Sequence, residues 1–200
     1  MAKVAVIYYS ATGTTYELAC AVEEGAKAAG AETRLRKVKE LAPDQAIASN
    51  QGWSAHVRAT QHVAEATYDD LTWADGLIFG TPTRYGLPSA QLKQFIDTTG
   101  PLWAAGKLVN KVCSSFALSA TRHGGQESTI LALNNVFYHW GAIIVAPGYL
   151  EPSQFEAGNP YGASHTSSNG TVPPDEIAKT AARLQGRRVA DIAARLASAR

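Results

Sequence analysis

The sequence predicts an α/β fold: a doubly wound, five-stranded parallel sheet in the order 2-1-3-4-5, with helices on both faces. Two observations predict it. Short continuous apolar runs recur along the chain, the pattern of strands buried on both faces rather than one. Each run is followed by a helical pattern, and the alternation repeats five times in 200 residues, which suits five strands better than six.

The first strand is residues 4–9, VAVIYY, followed by a helix over residues 15–29 with Leu18, Val22 and Ala26 on one face. Residues 33–38 alternate and carry Arg34 and Arg36, as an edge strand does. Residues 42–70 break the rhythm with Asn50-Gln-Gly-Trp53 and a weakly helical piece around residues 62–66. The third strand is residues 76–79, after which Pro88 opens a helix carrying Leu92, Phe95 and Ile96 inward. Residues 112–118 form the fourth strand, and a helix over 126–140 repeats Ile130, Leu133, Val136 and Phe137. The fifth strand is residues 142–146. A second irregular stretch, residues 151–174, is rich in Gly, Asn, Ser and Pro, and Pro173-Pro174 start a final helix over 175–196. Loops this long inside a compact domain are functional, interfacial or disordered. With no internal repeat, one domain spanning residues 1–200 is expected.

Bulk chemistry removes several function classes. Net charge is +1 with Lys and Arg scattered, so the concentrated basic face that nucleic-acid binding needs is missing. No apolar run approaches the ~20 residues of a membrane span, and no signal peptide is visible. The five histidines lack metal-ligand spacing. Cys20 and Cys113 lie far apart and read as free thiols in a reducing compartment. The expectation is a cytoplasmic protein without a metal or a nucleic-acid partner.

Ligands of open parallel sheets bind beyond the carboxyl ends of the strands. There the first loop, Ser10-Ala11-Thr12-Gly13-Thr14-Thr15, sets four hydroxyls at a helix N-terminus, where free N–H groups and the helix dipole favour an anion. It has no lysine of a Walker A loop and no glycine spacing of a dinucleotide fingerprint. A single terminal phosphate remains, such as FMN carries. The plainer reading is helix capping, for which one hydroxyl suffices. The third strand runs into Gly80-Thr-Pro-Thr-Arg-Tyr-Gly-Leu-Pro-Ser89, where Tyr85 suits stacking and Arg84 suits charge neutralisation; an ordinary surface turn is the alternative. The fourth runs into Ser119-Ala-Thr-Arg-His-Gly-Gly-Gln-Glu127, a source of donors for the polar edge of a flavin or simply another helix start.

These residues resemble the WrbA-type NAD(P)H:quinone oxidoreductases, FMN-containing relatives of flavodoxin. The likeness covers nearly the whole chain and is most specific in Ile78-Phe-Gly-Thr-Pro-Thr-Arg-Tyr-Gly86. Phe95-Ile-Asp-Thr-Thr-Gly-Pro-Leu-Trp103, His123-Gly-Gly-Gln-Glu127 and Pro160-Tyr-Gly-Ala163 support it. The resemblance implies a flavodoxin-like fold, FMN as cofactor, NAD(P)H and a quinone as substrates, and a homotetramer. It implies that Ser10, Ala11, Thr12, Gly13, Thr14 and Thr15 hold the phosphate, and that Thr83, Arg84 and Tyr85 border the isoalloxazine ring. Ser119, Ala120, Thr121, Arg122, His123 and Gly124 would hold its polar edge. Trp103 and His139 match the catalytic pair that family enzymes set over the ring face; from the residues alone they read as core packing and a helical histidine. Thr12 departs from the family, because many relatives carry a tyrosine there. The rival readings are an electron-carrying flavodoxin and a regulatory binding protein.

Overall fold

The computed structural model describes residues 1–198. β1 (Lys3–Tyr8) is buried from Val4 onward and leads through the hydroxyl loop into α1 (Thr14–Ala28). β2 (Glu32–Lys37), half-buried and charged, forms one edge of the sheet. The irregular stretch after it folds as α2 (Asp44–Ala48), α3 (Gln51–Ala59) and α4 (Tyr68–Trp73). Residues 62–66 are not helical as expected; Lys37 exchanges backbone hydrogen bonds with Ala64 and Ala66, so this segment extends beside β2 instead.

β3 (Gly76–Arg84) runs five residues beyond the expected strand, because Gly80, Thr81 and Pro82 still pair with the neighbouring strand before the chain folds back as β4 (Leu87–Pro88). Pro88 therefore ends a hairpin, and Ser89 caps α5 (Ala90–Asp97). α6 (Gly100–Ala104), β5 (Val112–Ser119) and α7 (Gln126–Trp140) follow. The chain continues through β6 (Ile143–Ile144), α8 (Pro152–Ala157), β7 (Ser164–Thr166) and α9 (Glu176–Ser198).

The parallel order is β2-β1-β3-β5-β6, the expected 2-1-3-4-5 with the β4 hairpin piece left out. One expectation is corrected: the fifth strand is not residues 142–146 but two pieces. β6 pairs with Val112 and Cys113, and β7 pairs with Ala117, Leu118 and Ser119. The loop and α8 between them step out of the sheet. Gln185 of α9, 1% exposed, bridges the gap. Its amide N–H donates to the Ser115 carbonyl at 2.8 Å and to Ser114 Oγ at 2.7 Å, and its oxygen accepts the Ala163 N–H at 2.8 Å. A side-chain amide thus replaces the peptide groups that the sheet lacks there, keeping buried backbone polar atoms paired.

α1 and α9 pack on one face of the sheet around Leu18, Val22, Ala182 and Val189. Leu92, Phe95, Leu133, Phe137 and Trp140 fill the other face. Gly25 and Gly186 let α1 and α9 touch: a Cβ on either would stand 1.9 Å from a carbonyl oxygen of the opposite helix. Cys20 and Cys113 are both free thiols. Among the described residues no helix is long and apolar enough to cross a membrane.

Candidate functional site

Beyond the carboxyl ends of β1, β3 and β5 lies a cleft of about 530 Å³. Ser10, Ala11, Thr12, Thr14, Thr15, Thr83, Arg84, Ser119, Ala120, Thr121 and Gly124 line it, so the three loops converge as the sequence predicts. Among the described residues no carboxylate lines the cleft, and Arg84 is its one charged side chain.

The first loop settles the question of capping. Gly13, at φ +103°, is the N-cap of α1, and no side-chain hydrogen bond caps the helix. Ser10 Oγ accepts the Gly13 N–H at 3.1 Å and so tightens the loop on itself. The amides of the first turn of α1 and the hydroxyls of Thr12, Thr14 and Thr15 are left for whatever enters the cleft. Such an array of donors at a helix N-terminus has the chemistry that suits an anion such as a phosphate. A Cβ on Gly13 would meet His56 at 3.5 Å, and burial beside Lys37 lowers the pKa of that imidazole.

The second and third loops brace each other. Thr83 Oγ1 accepts from the Gly86 N–H at 3.1 Å and from Thr129 Oγ1 at 2.7 Å. Gly125 permits close approach, since a Cβ there would stand 2.9 Å from Gly86 Cα. Ser119 Oγ donates to the Thr121 carbonyl, and the Ser119 carbonyl accepts from the Ser167 N–H at 2.8 Å.

Gly13 stays within the first loop but is not on the cleft lining, and five other expected residues stand elsewhere. Tyr85, at φ +54°, is fully exposed at the hairpin tip and outside the cleft lining. Arg122 and His123 face a separate groove beside residues 155–159 and 164–166. Trp103 and His139 are brought together, the Trp103 indole N–H donating to the His139 carbonyl at 2.8 Å. Both are exposed and neither lines the cleft. α7 carries the chain from the carboxyl edge toward the amino edge over 15 residues, about 22 Å at helical rise, and His139 lies in its last turn.

Asn50, Trp53, Ser167, Asn169 and Gly170 also line the cleft without having been expected there. The Asn50-Gln-Gly-Trp53 stretch stood out in the sequence, but nothing local ties it to the sheet edge. Asn169-Gly170 is a turn signal whose position depends on the split fifth strand.

Residues 2–156 match the family model of NADPH-dependent FMN reductases. The chain belongs to this family. A relative in Deinococcus radiodurans, named NAD(P)H dehydrogenase (quinone), is 44% identical over 97% of this chain and 96% of its own length. One of the same name in Sinorhizobium fredii is 46% identical over 98% of this chain and all of its own. Among solved structures, a WrbA-like flavodoxin protein from Agrobacterium tumefaciens superposes with a TM-score of 0.68 at 29% identity, over 98% of this chain and 99% of that one. Megasphaera elsdenii flavodoxin shares the fold at a TM-score of 0.59 and 18% identity, over 94% of this chain and 98% of its own. As a family member the chain is a flavin-dependent oxidoreductase with FMN as its cofactor. The cleft suits that group: amide and hydroxyl donors at a helix start that no side chain caps, and, among the described residues, no carboxylate to repel a phosphate.

Proposed function

We propose that the chain is an FMN-dependent NAD(P)H:quinone oxidoreductase that reduces quinones by two electrons to hydroquinones in a ping-pong sequence. The observation that carries this reading is the carboxylate-free cleft at the carboxyl edge, lined by hydroxyls and backbone amides from three loops. The names of the Deinococcus and Sinorhizobium relatives support the substrate pair.

When bound, FMN supplies the hydride-transfer chemistry. The residues bind and orient it. First-turn amides of α1 with the Thr12, Thr14 and Thr15 hydroxyls hold the phosphate, aided by the helix dipole. Thr83 and Arg84 border the ring system, and the 119–124 loop presents donors to its polar edge, where they stabilise negative charge. NAD(P)H and the quinone occupy the same open side in turn, which gives ping-pong kinetics. Trp103 walls the quinone slot and His139 binds a quinone oxygen. Within their own chain these two stand at the far end of the sheet, so they reach the cleft of a neighbouring copy. The reading therefore includes a homo-oligomer, a tetramer by the family resemblance, acting in the cytoplasm as a single-domain chain.

Anaerobic absorbance spectroscopy tests it. The purified protein with FMN is expected to bleach on adding NADH alone, to recover colour with benzoquinone, and to give parallel double-reciprocal plots. Failure of NADH to bleach the flavin would leave an electron carrier; intersecting plots would remove the ping-pong order.

A further inference from the structure

Among the described residues Trp53 is the one aromatic side chain on the cleft lining, and both ends of this residue are pinned. Its backbone N–H donates to Asn50 Oδ1 at 3.0 Å, the N-cap of α3. Its indole N–H donates to Glu40 Oε2 at 3.0 Å. The same carboxylate collects four more donors. Tyr9 hydroxyl reaches Oε2 at 2.9 Å. The Gln91 amide reaches Oε1 at 2.9 Å, with the backbone N–H groups of Leu41 at 2.9 Å and Ala42 at 3.0 Å. Gln91 also donates to the Tyr9 hydroxyl at 3.0 Å, closing a ring of contacts between the residue after β1, α3 and α5.

A shell made only of donors fits an ionised carboxylate and opposes an amide, whose NH₂ would face other hydrogens. Burial pushes the Glu40 carboxyl up, and the N–H and O–H donors outweigh it, holding the group below its ordinary value. The charge is therefore kept, and it fixes an indole that would otherwise sample other rotamers.

We propose that Glu40 is a positioning residue whose carboxylate holds the Trp53 indole as the fixed apolar wall against which FMN seats. The inference rests on the reading of this cleft as the FMN site. It names the aromatic contact made within the chain, where Trp103 of the same copy is out of reach.

A double-mutant cycle tests it. Flavin-stripped full-length protein is titrated with FMN as wild type, Glu40→Gln, Trp53→Phe and the double variant, with flavin and tryptophan fluorescence both read. Either single change is expected to weaken FMN binding about ten-fold, the scale of a lost hydrogen bond to a charged group. Adding Glu40→Gln to Trp53→Phe is expected to weaken it by less than about three-fold, because the bond is already gone. A carboxylate that merely supports the Leu41–Ala42 turn would cost the same in both backgrounds, and equal penalties overturn the proposal. So does wild-type affinity in Glu40→Gln. Independently of that variant, emission present in wild type and missing from Trp53→Phe is expected to be quenched by FMN; no quenching overturns the proposal. Failure of the wild type to take up FMN would instead remove the cofactor reading of the cleft, and this inference with it.

Discussion

A Cβ on Gly170 would lie 2.1 Å from Thr12 Oγ1, and one on Gly52 would approach Thr12 Cγ2 at 3.9 Å. The turn that brings Gly170 there holds Ser168, Asn169 and Gly170 all at positive φ, a strained arrangement of the kind found at functional sites. Thr12 therefore lies directly under that turn, on the cleft lining. Thr12 was singled out in the sequence; its neighbour Gly170 lies some 150 residues away along the chain, beyond any local signal. Asp70 is a similar case. Buried, it accepts from Arg34 and Arg36 at 3.0 Å each, and from the Thr67 N–H at 2.9 Å and hydroxyl at 3.0 Å. Burial pushes its carboxyl up, and these donors hold it below the ordinary carboxylate value. A depressed pKa of this kind contributes stability that is complete above the unfolded value near 4 and is lost as pH falls through the folded value. Asp70→Asn is therefore expected to lower the melting midpoint at pH 7 by roughly 5 °C. In urea titrations from pH 7 to pH 3, the gap to wild type should narrow; a constant gap would refute the linkage. Arg34 and Arg36 read in the sequence only as marks of an edge strand, because their carboxylate is more than thirty residues distant, beyond any periodic signal.

At the scale of elements, strands buried on both faces were legible because burial alone makes them continuous apolar runs, and α1, α7 and α9 because their apolar faces repeat. β7 was not legible. Ser164, His165 and Thr166 are polar, and three residues show no period. α3 was missed because its start depends on the Asn50 cap rather than on an apolar stripe. Gln185 sits inside a helical pattern that accounts for it without reference to the sheet, so its bridging of the split strand appears only in three dimensions. Gln185→Leu keeps the bulk and removes the bonds, leaving the Ala163 N–H and the Ser115 carbonyl short of partners. Urea unfolding is expected to show a loss of roughly 3 kcal/mol. Amide exchange over residues 163–167 should quicken, since the tie to α9 is gone; unchanged exchange there would show that the bridge is dispensable. Ser167 lies on the cleft lining, so loosening β7 also reaches the cleft.

For the whole molecule, the strand order followed from connection rules that constrain parallel sheets, and so did the edge at which the three loops meet. What the chain order could not convey is that Trp103 and His139 travel away from that edge along α6 and α7. Two defective chains check the resulting arrangement. One carries Trp103→Ala; the other carries Thr15→Glu, which sets a carboxylate where the phosphate would lie. Neither is expected to turn over quinone efficiently alone, and refolding them together is expected to restore turnover, because a hybrid pairs an intact cleft with an intact Trp103. No recovery from the mixture would return both functions to one copy. The two margins of the sheet have a consequence of their own. β2 displays Arg34, Arg36 and Lys37 along one rim, while the opposite rim is broken into pieces of two and three residues, β6 and β7. Neither rim gives an incoming chain a long, flat, uncharged row of amides to copy, so the interruption that shapes the cleft also guards the folded protein against fibre growth.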